Sequence, residues 1–382
     1  MNILQVLIFD TKSCGPTSVM MQIIPRLSKY HNIDIFSVKG YSRDKKDFAN
    51  KIGANYFHTN GELILTEKQI IKYIPNFYSY DIVHIHGIYE FNHYKIAKLL
   101  KKNNIPYVVS IHGNLMKSAL LKSKYKKKIV INLCVKNMLI NSSGIHVMAK
   151  NELIDVRNLI KNHQYYLIFN GVEQLESNII KNINDKFLNL LFVGRLDVNQ
   201  KGLDLLIEAV AKNVDKFKGS LHIFIVGPFN TKNDQRIIMS KLQSRPDLCK
   251  IISIEGPKYE DDKKKYYQKC DVFIHTSRYE GMPVAVLEAM EMAMPCIVTP
   301  GTNMAEIIEE CNGGVVVQQN TDSIASGIEY LISLSRDEIF QMGRNAKKWS
   351  EENLNWEQIS DSYLKMYRDV LNNNMNSEYD EY

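Results

Sequence analysis

Short apolar runs alternate with longer helix-like stretches along the whole chain, and they do so in two separate sets. In the first half the runs are ILQVLIF (3–9), IDIFSV (33–38), DIVHIH (81–86), PYVVSIH (106–112), GIHVMA (144–149) and YLIF (166–169). In the second half they are LNLLFVG (188–194), SLHIFIVG (220–227), IISIEG (251–256), DVFIHTS (271–277), PCIVTP (295–300) and GGVVVQ (313–318). Buried strands separated by helices give parallel sheets with crossover helices, hence an α/β class. Two such sets predict two Rossmann-like domains, and 382 residues are enough for both. The polar, Asn-rich stretch 170–186 marks the junction. The expected division is 1–172, 173–355, a C-terminal helix over 356–371 packing back toward the first domain, and a polar tail over 372–382 without fixed structure.

Charge separates the halves. Residues 1–172 carry 24 Lys and Arg against 10 Asp and Glu, a net of +14, whereas the remainder nets −8. Between Glu90 and Glu152 there are 12 lysines and no acid. The basic half is expected to face something anionic. The six cysteines are scattered, with no C-x-x-C spacing, which suggests neither a zinc site nor a disulfide framework and makes a reducing, cytoplasmic location the default. The opening MNILQVLIFD reads as a buried strand rather than a signal segment, and IVINLCVKNMLI, interrupted by Lys136, is too short to span a bilayer.

Three motifs in the second half carry chemistry. In FVGRLDVNQKG (192–202) a strand ends at Gly194, and Arg195 and Lys201 follow before Gly202 opens a helix. A guanidinium and an ammonium at a strand's C-terminal edge, beside a helix start, suit a phosphate. In RYEGMPVAVLEAM (278–290), Gly281 permits a tight turn and close ligand approach, and Pro283 fits the first helical turn. Glu280 then lies at the mouth of that helix and Glu288 about 7–8 Å further along its axis. That spacing suits one elongated ligand held at two points, or simply a solvated helix with two surface acids. In PGTNMAEII (300–308), Gly301 and Thr302 precede another helix, whose N–H groups suit an anion or a sugar hydroxyl. In the first half, Gly15 follows the first strand, and His86-Gly87 and His112-Gly113 end later strands, where side chains point toward an active-site crevice. There is no Walker loop, no G-x-G-x-x-G after the first strand and no Asp-x-Asp, so a nicotinamide site and a metal–diphosphate site are both disfavoured.

FVGRLDVNQKG, RYEGMPVAVLEAM, PGTNMAEII and FNGVE (169–173) stand together in one order and spacing, and HIHGIYEFNHYKIAKLLKKNNIPYVVSIHGNL (84–115) joins them. In this the chain resembles the family 4 glycosyltransferases, over nearly its whole length. The resemblance implies the GT-B architecture: two Rossmann-like parallel-sheet domains facing across a cleft, the first on the acceptor side and the second binding a nucleotide-diphospho-sugar. It implies that Arg195 and Lys201 hold the diphosphate, Glu288 the ribose and Glu280 the donor sugar. Gly281, Met282, Pro283, Gly301 and Thr302 would lie around the donor, His112 near its sugar, and Gly15 would leave room for the diphosphate. Two positions depart from the family pattern: the first loop has Cys14-Gly15-Pro16 where paired glycines are usual, and Pro283 removes one N–H that other members offer.

The activity so implied is retaining transfer of a hexose, without metal or other cofactor. The donor is UDP- or GDP-linked, and the acceptor is a glycan or lipid-linked saccharide of capsule, O-antigen or exopolysaccharide synthesis. A nucleotide-sugar epimerase of the same fold would want acid/base carboxylates in the first domain, where acids are scarce. A non-catalytic nucleotide-sugar-binding protein would not need Arg195, Lys201 and Glu280 together. The segment 117–139, with Lys122, Lys124, Lys126, Lys127 and Lys128 beside Leu120, Leu121, Ile129, Val130 and Leu133, suits either an anionic membrane surface or a solvated helix face, and the resemblance favours the inner face of the cell membrane. It lacks the aromatic interleaving of a nucleic-acid platform.

Overall fold

The computed structural model describes residues 1–8, 15–116, 120, 128–174 and 187–379, with only the backbone of 15, 16 and 374–379. The chain forms two compact units, Met1–Gly171 with Trp356–Tyr382, and Val172–Asn355.

The first unit holds a seven-stranded sheet in the order β3-β2-β1-β4-β5-β6-β7. Its strands are β1 (Asn2–Leu7), β2 (Asn32–Ser37), β3 (Tyr56–His58), β4 (Ile82–His86), β5 (Tyr107–Ser110), β6 (Gly144–Val147) and β7 (Tyr165–Leu167). Every pairing is parallel, with Asn2 opposite Asn32 and Val83 opposite Tyr107. The central strands β1, β4 and β5 are buried on both faces, which is why they read as continuous Ile and Val runs rather than as alternation. β3 is the strand that the sequence pattern did not reveal. It is three half-buried residues at the sheet edge, too short and too exposed for an apolar run.

The second unit holds a six-stranded parallel sheet in the order β10-β9-β8-β11-β12-β13. The strands are β8 (Leu188–Val193), β9 (Leu221–Val226), β10 (Ile252–Gly256), β11 (Val272–His275), β12 (Cys296–Val298) and β13 (Gly314–Val316). Its order runs backwards from β10 to β8 and then jumps forward to β11. The crossovers on either side of the β8–β11 pair therefore leave in opposite directions, and the loops after those strands open a crevice at their C-terminal ends.

The helix Trp356–Tyr379 belongs to the first unit. Trp356, Tyr363, Met366 and Tyr367 are buried, and Arg26 lies 3.2 Å from Glu357. The helix extends eight residues past 371 into the segment expected to be unstructured. NNNMNSEY contains no Gly or Pro to break it, and weak Asn propensity alone did not end it. Of the expected junction 170–186, residues 175–186 lie outside the described residues, as do 380–382 of the tail.

Candidate active site

The site is built on the loops that follow β8 and β11, the two strands at the switch in strand order. After β8 the chain turns through a short helix, Val198–Lys201, whose N-cap Asp197 accepts a hydrogen bond from Gln200 N at 2.8 Å. Gly202 ends it with φ +65, and a Cβ there would stand 2.2 Å from the Thr276 carbonyl oxygen. Only glycine lets the two loops approach this closely. Thr276 Oγ1 donates to the Lys201 carbonyl at 3.1 Å, and Arg278 N donates to the Gln200 carbonyl at 2.8 Å. The Arg278 guanidinium grips Asp204 through two bonds of 2.8 and 2.7 Å.

This stitching sets Lys201 Nζ 2.5 Å from Glu280 Oε1, with both side chains only 12% exposed. Ser277 Oγ donates to the same carboxylate oxygen at 2.9 Å. His275 Nε2 lies 3.4 Å from Lys201 Nζ and 3.6 Å from Glu280. Burial opposes ionisation of Glu280, but the Lys201 charge and the His275 and Lys201 bonds outweigh it and bring its pKa down to about 2. His275 is fully buried, stacked nearly parallel to Phe192 and to Phe273 at 5.3 and 5.9 Å. Burial, reinforced by the Lys201 charge, lowers its pKa and keeps the ring neutral at pH 7. Asn303, in the left-handed region with φ +61, donates to the carbonyls of Glu280 at 2.7 Å and Gly281 at 3.0 Å. It thus ties the loop after β12 to the other two.

Arg195 is exposed on the β8 loop, with Nη2 donating to Gln200 Oε1 at 3.2 Å and no carboxylate within ion-pair distance among the described residues. A guanidinium not neutralised by a carboxylate, next to a lysine held by one carboxylate, gives the loop capacity for a second anion.

Glu288 sits inside the helix Val284–Glu291. Its two oxygens meet Lys263 Nζ at 2.6 Å and Tyr267 OH at 2.8 Å. Each oxygen keeps a second lone pair, so a ligand hydroxyl would share Glu288 with these donors. Pro283 is the N-cap of that helix, with φ −74 and ψ 113, one position before the first turn where the sequence reading placed it. Met282 and Pro283 are buried, and Gly281 is half-buried, so this segment offers backbone rather than side chains.

Gly301 and Thr302 form a 3-10 turn, Pro300–Thr302, before the helix Ala305–Glu310. The Thr302 hydroxyl is buried and engaged, donating to the Thr299 carbonyl at 2.7 Å and accepting from Met304 N at 3.2 Å. Gly301 is required by packing, since a Cβ there would lie 2.4 Å from the Arg278 carbonyl oxygen.

In the first unit, His112 follows β5 with φ +55, and Gly113 has φ +76. Buried Glu152 holds this turn by accepting from the backbone N–H groups of Gly113 and Met148. Burial, working against those two bonds, raises the Glu152 pKa to about 7. His112 Nε2 lies 3.4 Å from His86 Nδ1. Gly15 is the first residue of the helix Gly15–Ser28.

The sequence pattern therefore singles out Lys201 and Glu280 in separate roles, the one for a diphosphate and the other for a sugar, but it reveals neither their direct contact nor the residues that support it. His275 and Ser277 end the run DVFIHTS, and their polarity at the close of an apolar strand was the available signal. Asn303, Arg278 and Glu152 act through contacts distant in sequence and left none.

Residues 188–334 match the family model described as glycosyl transferases group 1. A protein described as the uncharacterized glycosyltransferase MJ1607 of Methanocaldococcus jannaschii is 27% identical over 380 residues, covering 88% of this chain and 90% of that one. The GDP-mannose:cellobiosyl-diphosphopolyprenol alpha-mannosyltransferase of Xanthomonas oryzae pv. oryzae is 21% identical over 295 residues, covering 77% and 75%. Among solved structures, Anabaena Alr3699/HepE in complex with UDP-glucose superposes with a TM-score of 0.74 at 14% identity, covering 96% of this chain and 99% of that one. Residues 188–334 are thus a glycosyl transferases group 1 domain, and the chain that carries them is a glycosyltransferase of GT-B architecture.

Proposed function

We propose that the chain moves a hexose, with retention of configuration, from a UDP- or GDP-linked sugar to a hydroxyl of a glycan or lipid-linked saccharide in cell-surface polysaccharide synthesis. The observation that carries the reading is the Lys201–Glu280 contact at the β8–β11 switch, with Arg195 on the same loop. It sets cations for a leaving diphosphate beside a carboxylate for sugar hydroxyls. The named substrates of the Xanthomonas relative and the UDP-glucose in the Anabaena structure support a nucleotide-sugar donor and a lipid-linked acceptor.

In the proposed reaction the bond between the anomeric carbon and the β-phosphate oxygen breaks, and its electron pair leaves with the diphosphate. Lys201 and Arg195, once engaged by the bound diphosphate, stabilise the charge that develops there and require little reorganisation as the bond breaks. Binding of the diphosphate draws Lys201 from Glu280, and the freed carboxylate accepts from donor-sugar hydroxyls. The ring passes through an oxocarbenium-like state, as in glycoside chemistry. The acceptor oxygen attacks on the face the diphosphate leaves, and its proton passes to the departing phosphate. Glu288 takes the ribose. His112 faces the sugar, and Gly15, Gly301 and the 281–283 backbone border the donor.

In this scheme the two cations carry the charge that a divalent ion would otherwise neutralise. Transfer is therefore expected to continue at its full rate in EDTA, and a loss restored by Mg²⁺ or Mn²⁺ would overturn metal independence. Product anomers read by NMR should match the donor's configuration, and inversion would contradict the retaining course.

The membrane is the proposed acceptor-side surface. Over 128–140 the backbone is helical, with a π segment at Ile131–Val135. Ile129, Leu133 and Ile140 are 59%, 68% and 59% exposed, next to exposed Lys128. Lys122, Lys124, Lys126 and Lys127 lie outside the described residues. No helix among the described residues is long and apolar enough to cross a membrane. Apolar side chains standing in water beside lysines suit the headgroup region of an anionic bilayer, where each lysine contributes about 1 kcal/mol. Co-sedimentation should show binding to anionic vesicles that weakens with salt, and little to neutral ones. Equal binding to both, or none to either, would reject docking.

A further inference from the structure

Eight groups of the first unit form one uninterrupted line of hydrogen bonds across its sheet, and chemistry fixes the direction of every bond. The line starts at the Ile168 carbonyl oxygen, which only accepts and lies 3.0 Å from His146 Nε2. Burial lowers the pKa of His146, His84, His86 and His112, so each ring is neutral at pH 7 and carries one hydrogen. His146 Nε2 must hold that hydrogen, and its Nδ1 therefore accepts from Ser110 Oγ at 2.6 Å. The Ser110 oxygen then accepts from His84 Nε2 at 2.7 Å. His84 Nδ1, left as a lone pair, takes the hydrogen of the Tyr367 hydroxyl at 2.8 Å.

Tyr367 oxygen accepts from Gln5 Nε2 at 3.1 Å, and Gln5 Oε1 accepts from His86 Nε2 at 2.8 Å. His86 Nδ1 is then an acceptor, and the group facing it at 3.4 Å is His112 Nε2, which must donate. His112 is left with its hydrogen on Nε2 and a lone pair on Nδ1, which has no partner among the described residues. No other assignment satisfies all seven bonds. In water the two tautomers of a free histidine interconvert, whereas here the carbonyl at the far end of the line selects one.

Tyr367 is the member on which this selection turns. Its hydroxyl receives from Gln5 and gives to His84, and so fixes which way round the Gln5 amide lies. Without the hydroxyl the amide is free to turn its nitrogen toward His86. His86 would then carry its hydrogen on Nδ1 and donate to His112 Nε2, reversing the His112 tautomer. The residue is buried on the helix Trp356–Tyr379, more than 350 positions from Gln5 in sequence.

We propose that Tyr367 is a positioning residue that holds His112 as its Nε2–H tautomer, so that Nδ1 meets the substrate as a hydrogen-bond acceptor for a sugar hydroxyl. The second half rests on the reading of His112 as a group facing the donor sugar, whereas the first half needs no substrate at all.

The test is a long-range ¹H–¹⁵N correlation of the full chain labelled at histidine, without ligand and at neutral pH, with the His112 signals assigned by their absence in His112→Gln. The expected wild-type spectrum shows His112 as the single Nε2–H tautomer, and Tyr367→Phe shows a mixture of the two. A wild-type Nδ1–H form or mixture, or a Tyr367→Phe spectrum with the single wild-type tautomer, would overturn the proposal. Ser110→Ala cuts the same line between His146 and His84 and should also give the mixture, so a poorly folding Tyr367→Phe would not shelter the idea. In turnover, Tyr367→Phe is expected to lower kcat about threefold to tenfold, the scale of one uncharged hydrogen bond, with donor KM unchanged. A mixed tautomer with full kcat would remove Nδ1 from the reaction while leaving the transferase reading intact.

Discussion

Lys201→Ala and Arg195→Ala should each lower turnover at saturating donor at least about a hundredfold. Charge appears on the diphosphate only as the glycosidic bond breaks, so the loss belongs in kcat rather than in KM alone. Lys201 reaches the site through a chain of local requirements. Asp197 caps its short helix, Gly202 adopts φ +65 behind it, and Thr276 accepts no bulk at that point. Arg195 has no such enclosure and relies on Gln200 Oε1 at 3.2 Å. Steady-state rates with donor saturating are the measurement, and near-normal kcat in both variants would remove them from leaving-group stabilisation. Lys201→Ala also leaves Glu280 buried without its ammonium. Glu280 titrates at about 2 in the folded chain against a reference of 4.5, so the pair stabilises the fold above about pH 4.5 and loses that contribution as pH falls toward 2. The stability difference between wild type and variant should narrow over that window.

The two carboxylates of the Glu-x7-Glu stretch should separate cleanly by ligand. Glu288→Ala is expected to weaken binding of a bare nucleoside diphosphate, because a ribose hydroxyl loses its acceptor. It also takes from Lys263 its carboxylate partner and leaves the Tyr267 hydroxyl with the Ala285 carbonyl at 3.3 Å in place of Glu288. Glu280→Ala should leave that binding intact or tighten it, since Lys201 no longer has a competing carboxylate 2.5 Å away. Transfer by Glu280→Ala should nonetheless fall steeply for want of the group that orients the sugar. Calorimetry with UDP and GDP reads the first effect and turnover the second. The reverse pattern would overturn the assignment of sugar to Glu280 and ribose to Glu288.

What could be read from the chain follows from how local each feature is. Strands buried on both faces announce themselves as apolar runs, and so β1, β4 and β8 were legible, whereas the half-exposed edge strand Tyr56–His58 was not. Arg195, Lys201 and Glu280 stand in contiguous motifs at strand ends, where α/β sheets bind ligands, and so were visible as candidates. Most of their supports were not, because they are partnerships between distant positions, with Ser277, three residues from Glu280, the local exception. His275 stands out only as a polar residue closing an apolar run, and what it acts on is unknown until its place 3.4 Å from Lys201 is seen. Asn303 looks like a loop polar residue, and only its bonds to two carbonyls of the 280–281 turn show that it holds that turn. Thr302 shows the opposite case, since it stands before a helix whose N–H groups suit an anion or a sugar hydroxyl, yet its own hydroxyl takes one such group, Met304 N, and donates to the Thr299 carbonyl. The C-terminal helix was legible as a helix, but nothing in LNWEQISDSYLKMYRDVL indicates that Tyr363 and Tyr367 lie against His84 in the first unit.

The central claim is that the second unit binds a nucleotide-diphospho-sugar through Arg195 and Lys201. Thermal shift across a panel of UDP- and GDP-sugars tests it most directly, with wild type and the Arg195→Ala/Lys201→Ala double variant run side by side. Ligand that binds only the folded chain raises its melting temperature by mass action. The account predicts that at least one nucleotide-sugar stabilises the wild type and that the same compound leaves the double variant unmoved. No shift with any of them at millimolar concentration, or an equal shift in the double variant, would contradict it.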